Sequence, residues 1–163
     1  MTRYLSTIPI ICLMLLNVSC NESLPENPII SDNIVESKPI FHASHEPKKQ
    51  DAPFSDIVQV GDMYFLSGQI GMDHSTRTLA SGGIQEETRQ TLENIKAVLA
   101  QHDLSTKDVV KALVILDDIE DFSDFNEIYR TYFPHKPART TFAAEALAAG
   151  AKIEIEVVAM KSS

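Results

Sequence analysis

With 163 residues, 44% of them hydrophobic and 23% charged, the chain has room for one ordinary domain plus an extension. A formal net charge of −9 argues against a nucleic-acid surface, because phosphate neutralisation needs clustered Lys and Arg and the one adjacent basic pair is Lys48-Lys49. Cys12 and Cys20 both lie in the first twenty residues, so the rest of the chain has no thiol nucleophile, disulfide framework or thiolate metal site.

In chain order, Arg3 precedes an apolar run from Tyr4 to Val18 that carries Pro9 and is short for a membrane-spanning helix. Its end, Leu16-Asn17-Val18-Ser19-Cys20, reads as a bacterial lipoprotein cleavage site, although Asn17 stands where that motif usually has an aliphatic. Residues 1–19 are therefore expected to be an export signal, with Cys20 lipidated and the protein held at the periplasmic side of the cell envelope. An ordinary secretory signal, or an uncleaved anchor, with Cys20 incidental, is the competing reading. Residues 20–50 contain Pro25, Pro28, Pro39 and Pro47 and no sustained period, which predicts a flexible tether.

The expected domain covers 51–163. Ile57–Val60, the turn signal Gly61-Asp62 and Met63–Ser67 predict a hairpin. Gly68, Gly71, Gly82 and Gly83 punctuate a loop. From Ile84 to Gln101, Ile84, Thr88, Thr91, Leu92, Ile95, Val98 and Leu99 recur in steps of three and four, with Glu86, Arg89, Glu93 and Lys96 opposite, which predicts an amphipathic helix. Val109–Leu116 is a nearly continuous apolar strand, expected to be buried on both faces. Phe122, Phe125, Ile128, Tyr129 and Tyr132 form a second helical stripe stopped by Pro134. Strands over 139–144 and 151–160 follow. The predicted order is β-β-α-β-α-β-β, a mixed sheet in an α/β (α+β) fold. Two helices cover only one face of such a sheet, and the other needs cover from another subunit.

Two segments carry the chemistry. Pro137-Ala138-Arg139-Thr140-Thr141 sets one arginine after a proline-limited turn, and a guanidinium matches a carboxylate. Lys152-Ile153-Glu154-Ile155-Glu156 sets a carboxyl between β-branched neighbours, a candidate for proton transfer. Alternation puts Glu154 on one strand face with Lys152 and Glu156. A structural arginine paired with Glu154, or an interface ion pair, is the bland alternative. The five histidines (His42, His45, His74, His102 and His135) lack the spacing of a zinc site.

From 52 to 160 the chain resembles the RidA family of reactive-intermediate deaminases. The resemblance rests on Phe65-Leu66-Ser67-Gly68-Gln69-Ile70, Gly83-Ile84 with Thr88-Arg89-Gln90-Thr91-Leu92-Glu93-Asn94-Ile95, and Asp108-Val109-Val110-Lys111. Phe122 with Asn126 and Tyr129, Pro137-Ala138-Arg139 and Ile153-Glu154-Ile155-Glu156 complete it. The resemblance implies a chorismate-mutase-like homotrimer with sites in clefts between subunits. It implies hydrolysis of enamines and imines such as 2-iminopropanoate and 2-iminobutanoate to 2-keto acids and ammonia, with no cofactor. By the same resemblance Arg139 would hold the substrate carboxylate and Glu154 would handle the attacking water. Ser67 and Gly68 would line the pocket, with the ring of Phe54 in place of the family's tyrosine. Alternation sets Thr141 on the strand face of Arg139, where it is expected to line the cleft, and Asn94 and Asn126 look structural.

Three departures stand out. Ala52-Pro53-Phe54 replaces the family's Gly-Pro-Tyr, removing a hydroxyl; Glu87 stands where glutamine is common; and Leu147-Ala148 replaces Leu-Pro. They leave the choice of substrate open, and a non-catalytic envelope lipoprotein binding small carboxylates in trimer clefts, or a purely structural trimer, as competing readings.

Overall fold

Every second residue of the last strand, from Ile153 to Ala159, is at most 1% exposed in the computed structural model, which describes residues 37–162. That alternation makes β9 (Ile153–Met160) the hub of the sheet, antiparallel on one side to β3 (Met63–Leu66) and on the other to β7 (Val109–Leu116). β2 (Ile57–Val60) pairs antiparallel with β3 through the predicted turn, where Gly61 takes φ +58°. β8 (Ala138–Ala143) lies parallel to β7 on its outer side, the one parallel pair among the described residues, which makes the sheet mixed. Helices α1 (Ile84–Ala100) and α2 (Phe122–Tyr132) bury Leu92, Ile95, Leu99, Phe125, Ile128 and Tyr129 against the same sheet face as Ala112, Val114 and Leu116. Thr88 and Thr91 lie inside because their hydroxyls donate to the carbonyls of Ile84 (2.6 Å) and Glu87 (2.7 Å), one turn back.

The sheet extends beyond the predicted order. Part of the expected 20–50 tether instead contains β1 (Ile40–His42), which pairs with β2, and a 3-10 turn at Pro47–Lys49. The backbone N–H of Asp56 closes this arm by donating to the carbonyl of His42 (3.0 Å). Isolated aliphatics and prolines conceal so short an edge strand, because three residues show no period. The glycine-punctuated loop holds β4 (Gln69–Ile70), which pairs with β9, and a small hairpin of β5 (Met72–Asp73) and β6 (Thr78–Leu79). The expected signal, Cys20 and the start of the tether fall outside the described residues.

The expected burial of Val109–Leu116 on both faces is corrected. Val110 and Lys111 are exposed and Leu113 and Ile115 only half-buried, because the helices cover one side. The open side carries Phe65, Phe142, Met160, Glu154 and Glu156.

Glu87 clamps α1 to this frame. Its carboxylate is buried and accepts the backbone N–H of Lys152 (2.8 Å) at the entry to β9. Gly71 makes the approach possible, since a Cβ there would lie 2.7 Å from the Glu87 Cα. Glu87→Ala strands that amide and is expected to cost about 1–3 kcal/mol in denaturant unfolding, whereas Glu87→Gln keeps an acceptor and most of the stability.

Candidate active site

Glu154 lies on the open face of β9 and lines a cavity of about 320 Å³ with Phe54, Gly68, Ile70, His74 and Arg77. Its carboxyl rests against the backbone of Gly68, close enough that a Cβ on that glycine would collide with Oε1, so the glycine just before β4 makes the position possible. Among the described residues no hydrogen-bond donor reaches it within bonding distance. Burial, helped by the like charge of Glu156, holds its pKa above the usual carboxylate value. A half-buried carboxyl with a raised pKa and no partner suits proton transfer. Asn94 steadies the wall of this cavity by donating to the carbonyls of Ile70 (3.0 Å) and Met72 (2.9 Å), so its role is structural.

Arg139 opens β8 and sits elsewhere, in a cavity of about 400 Å³ with Asn126, Tyr129 and Phe133. Nη1 donates to Asn126 Oδ1 (2.8 Å), and the guanidinium carbon lies 5.7, 5.1 and 4.7 Å from the ring centres of Phe122, Phe125 and Tyr129. The rings of α2 thus hold the cation by cation–π attraction and Asn126 sets its tilt. No carboxylate pairs with it among the described residues. The bland pairing with Glu154 is therefore absent. Two buried hydroxyls nearby, Tyr129 Oη and Thr141 Oγ1, have no partner among the described residues. Burial raises the Tyr129 pKa while the arginine's charge opposes the shift, so the phenol stays protonated and able to donate.

The two groups do not meet within one chain. Arg139 stands opposite Ala112, on the helix side of the sheet, and Glu154 stands opposite Ile115, on the open side. They are offset by three residues and two strands, roughly 10 Å in each direction, and line separate cavities.

The remaining candidates divide. Gly68 and Phe54 line the Glu154 cavity. Ser67 does not; its hydroxyl donates to the carbonyl of Ser55 (2.7 Å) and fixes the start of β2. Thr141 shares the Arg139 side of β8. Asn126, read as structural, is the group that positions Arg139. Tyr129 was legible only as a core position of a helical stripe, and its free hydroxyl gives no signal in sequence. Lys49, His74 and Arg77, which also line the Glu154 cavity, carry no motif.

Comparison with known proteins agrees with this frame. Residues 44–161 match the family described as Endoribonuclease L-PSP. A human 2-iminobutanoate/2-iminopropanoate deaminase is 44% identical over 110 residues, covering 67% of this chain and 80% of its own. A crystal structure from Thermotoga maritima, named as an endoribonuclease, superposes with a TM-score of 0.71 at 41% identity, covering 76% of this chain and 98% of that one. Escherichia coli TdcF, crystallised with bound serine, gives 0.65 at 30% identity over 75% of this chain and 94% of its own.

Proposed function

The chain belongs to the endoribonuclease L-PSP family, the RidA family of the sequence reading, and on that premise we propose that it hydrolyses small 2-imino acids such as 2-iminobutanoate and 2-iminopropanoate to 2-keto acids and ammonia. The observation that carries this reading is the unpartnered, half-buried carboxyl of Glu154 seated on Gly68, its pKa held above the ordinary range. A ribonuclease is the poorer reading, because a chain of net charge −9 offers no basic track for a phosphate backbone.

In the proposed reaction the substrate's carboxylate pairs with Arg139, whose planar fork suits two parallel bonds. Water adds to the imine carbon, Glu154 accepts its proton, and the nitrogen gains protons as the carbinolamine forms. Glu154 then assists collapse to the ketone as ammonia leaves, so one water enters and one ammonia departs. The lifted pKa keeps a larger protonated fraction near neutrality, which suits a group that must both take and give a proton. TdcF with bound serine supports an α-amino acid frame as ligand.

Arg139 and Glu154 lie on opposite faces of one sheet, so we assign the complete site to two copies, with Glu154 from one subunit and the partner subunit's Arg139. The open apolar face supports a homotrimer, which would also bury Phe65 and Phe142. The Leu16–Cys20 motif supports export and a lipid anchor at Cys20, with membrane contact through the anchor alone.

The test generates 2-iminobutanoate in situ with an amino-acid oxidase and follows keto-acid release. The expected result is release faster than in buffer. No acceleration for several imino acids, with 2-keto acids still bound, would replace the enzyme by a carboxylate-binding lipoprotein.

A further inference from the structure

In a chain with 14 lysines and arginines against 23 acidic residues, one lysine, one arginine and one histidine from separate positions converge on the cavity that holds Glu154. Lys49 comes from the 3-10 turn before β2, His74 from the residue after β5, and Arg77 from the tip of the β5–β6 hairpin. We propose that this wall recognises a second negative charge, and that the ligands preferred here are 2-imino acids whose side chain ends in a carboxylate. The proposal rests on the reading of the site given above and names its substrate class.

Arg77 carries the argument. It occupies the left-handed region at φ +62°, where the hairpin is closed by its own N–H donating to the carbonyl of Asp73 (2.8 Å). Glycine fills such a position at no steric cost, and a side chain there is strained. The turn itself does not require an arginine, and Asp103, Lys136 and Ala149 take the same backbone region, so what singles out Arg77 is that its side chain lines the cavity. Its guanidinium is exposed and forms no ion pair among the described residues. A fork without a carboxylate at the mouth of a cavity is suited to a carboxylate that arrives with the ligand.

Lys49 and His74 extend the wall inward. Lys49 Nζ is anchored by the buried Asp56 (3.3 Å), which fixes the ammonium in place and leaves it protons to donate. Nδ1 of His74 is buried without a partner among the described residues and so offers a further polar contact. Phe54, Ile70 and Met72 line the same cavity and give it apolar surface that suits a short methylene chain. The α-carboxylate is left to the partner subunit's Arg139, so the two charges of the ligand would be read by different cations.

The experiment measures binding by calorimetry, independent of turnover, with 2-oxoglutarate and 2-oxobutanoate as probes on the wild-type protein and on Arg77→Gly. Glycine relieves the backbone, so a change in affinity cannot be laid to misfolding. Wild type is expected to bind 2-oxoglutarate at least about tenfold more tightly, and Arg77→Gly to bring the ratio of the two affinities close to one. Equal affinities in the wild type, or a preference that survives Arg77→Gly, would overturn the proposal. A dicarboxylate preference in a protein that hydrolyses no imine would sink the catalytic reading and leave the subsite standing.

Discussion

Glu154→Gln is expected to lower kcat for 2-imino acid hydrolysis by about a hundredfold to ten-thousandfold, the usual worth of a positioned general acid–base, with a small change in KM. The amide keeps the shape of the carboxyl against Gly68 and removes only its proton chemistry. The same variant is expected to be the more stable protein at neutral pH. Burial and then Glu156 raise the pKa of Glu154 above its ordinary 4.5, so the folded state binds that proton more tightly than the unfolded chain does. The stabilisation belonging to the carboxyl is therefore complete below pH 4.5 and is lost as the pH climbs through the raised value. Glutamine does not ionise and loses nothing over that window. Thermal melts of the two proteins at pH 4 and pH 7 check this: the gap in Tm should open toward neutral pH and shrink in acid. An equal gap at both values would mean that Glu154 titrates like an exposed carboxylate. In wild type the acid limb of the kcat/KM profile should fall above pH 4.5 and be absent in Glu154→Gln.

Arg139→Ala should cost about a hundredfold to a thousandfold in kcat/KM, mostly as a raised KM, because a buried charge pair with the substrate loses one member. Arg139→Lys should recover little, since an ammonium lacks the planar fork and does not stack on Phe122, Phe125 and Tyr129 in the same way. Asn126→Ala leaves the cation present but untethered, and its effect should be intermediate. Steady-state kinetics of the three variants on one imine rank them. A lysine variant as active as wild type would reduce Arg139 to a diffuse positive charge.

Long periods were legible in the chain and short ones were not. The stripe from Ile84 to Leu99 and the alternation from Ile153 to Ala159 each repeat often enough to declare a helix and a strand. β1, β4, β5 and β6 span two or three residues, below any period, and exist because β2, β9 and one another accept their backbone bonds. Val109–Leu116 misled because an apolar run does not say which of its faces the helices will cover. In the site, Glu154 stood out as a carboxyl between β-branched neighbours and Arg139 as a single guanidinium after a proline-limited turn. Their placement on opposite sides of the sheet follows from cross-strand register, Arg139 with Ala112 and Glu154 with Ile115, which no single strand encodes. Ser67 looked available because its bond to Ser55 joins segments twelve residues apart. Tyr129 is both a core residue and a free hydroxyl, and its pattern reveals only the first.

The claim on which the rest depends is that one substrate meets Glu154 of one copy and Arg139 of another. Mixing subunits tests it most directly. The Arg139→Ala and Glu154→Gln proteins are denatured together, refolded as a mixture, and assayed beside each variant refolded alone, with mixed oligomers verified by native mass spectrometry. When the two proteins mix at random, roughly a quarter of the interfacial sites pair an intact Glu154 with an intact Arg139. The account predicts recovery of about that fraction of wild-type activity from two nearly inactive parents. Mixed oligomers no more active than their parents would contradict it, and would require the acid and the arginine to serve different sites.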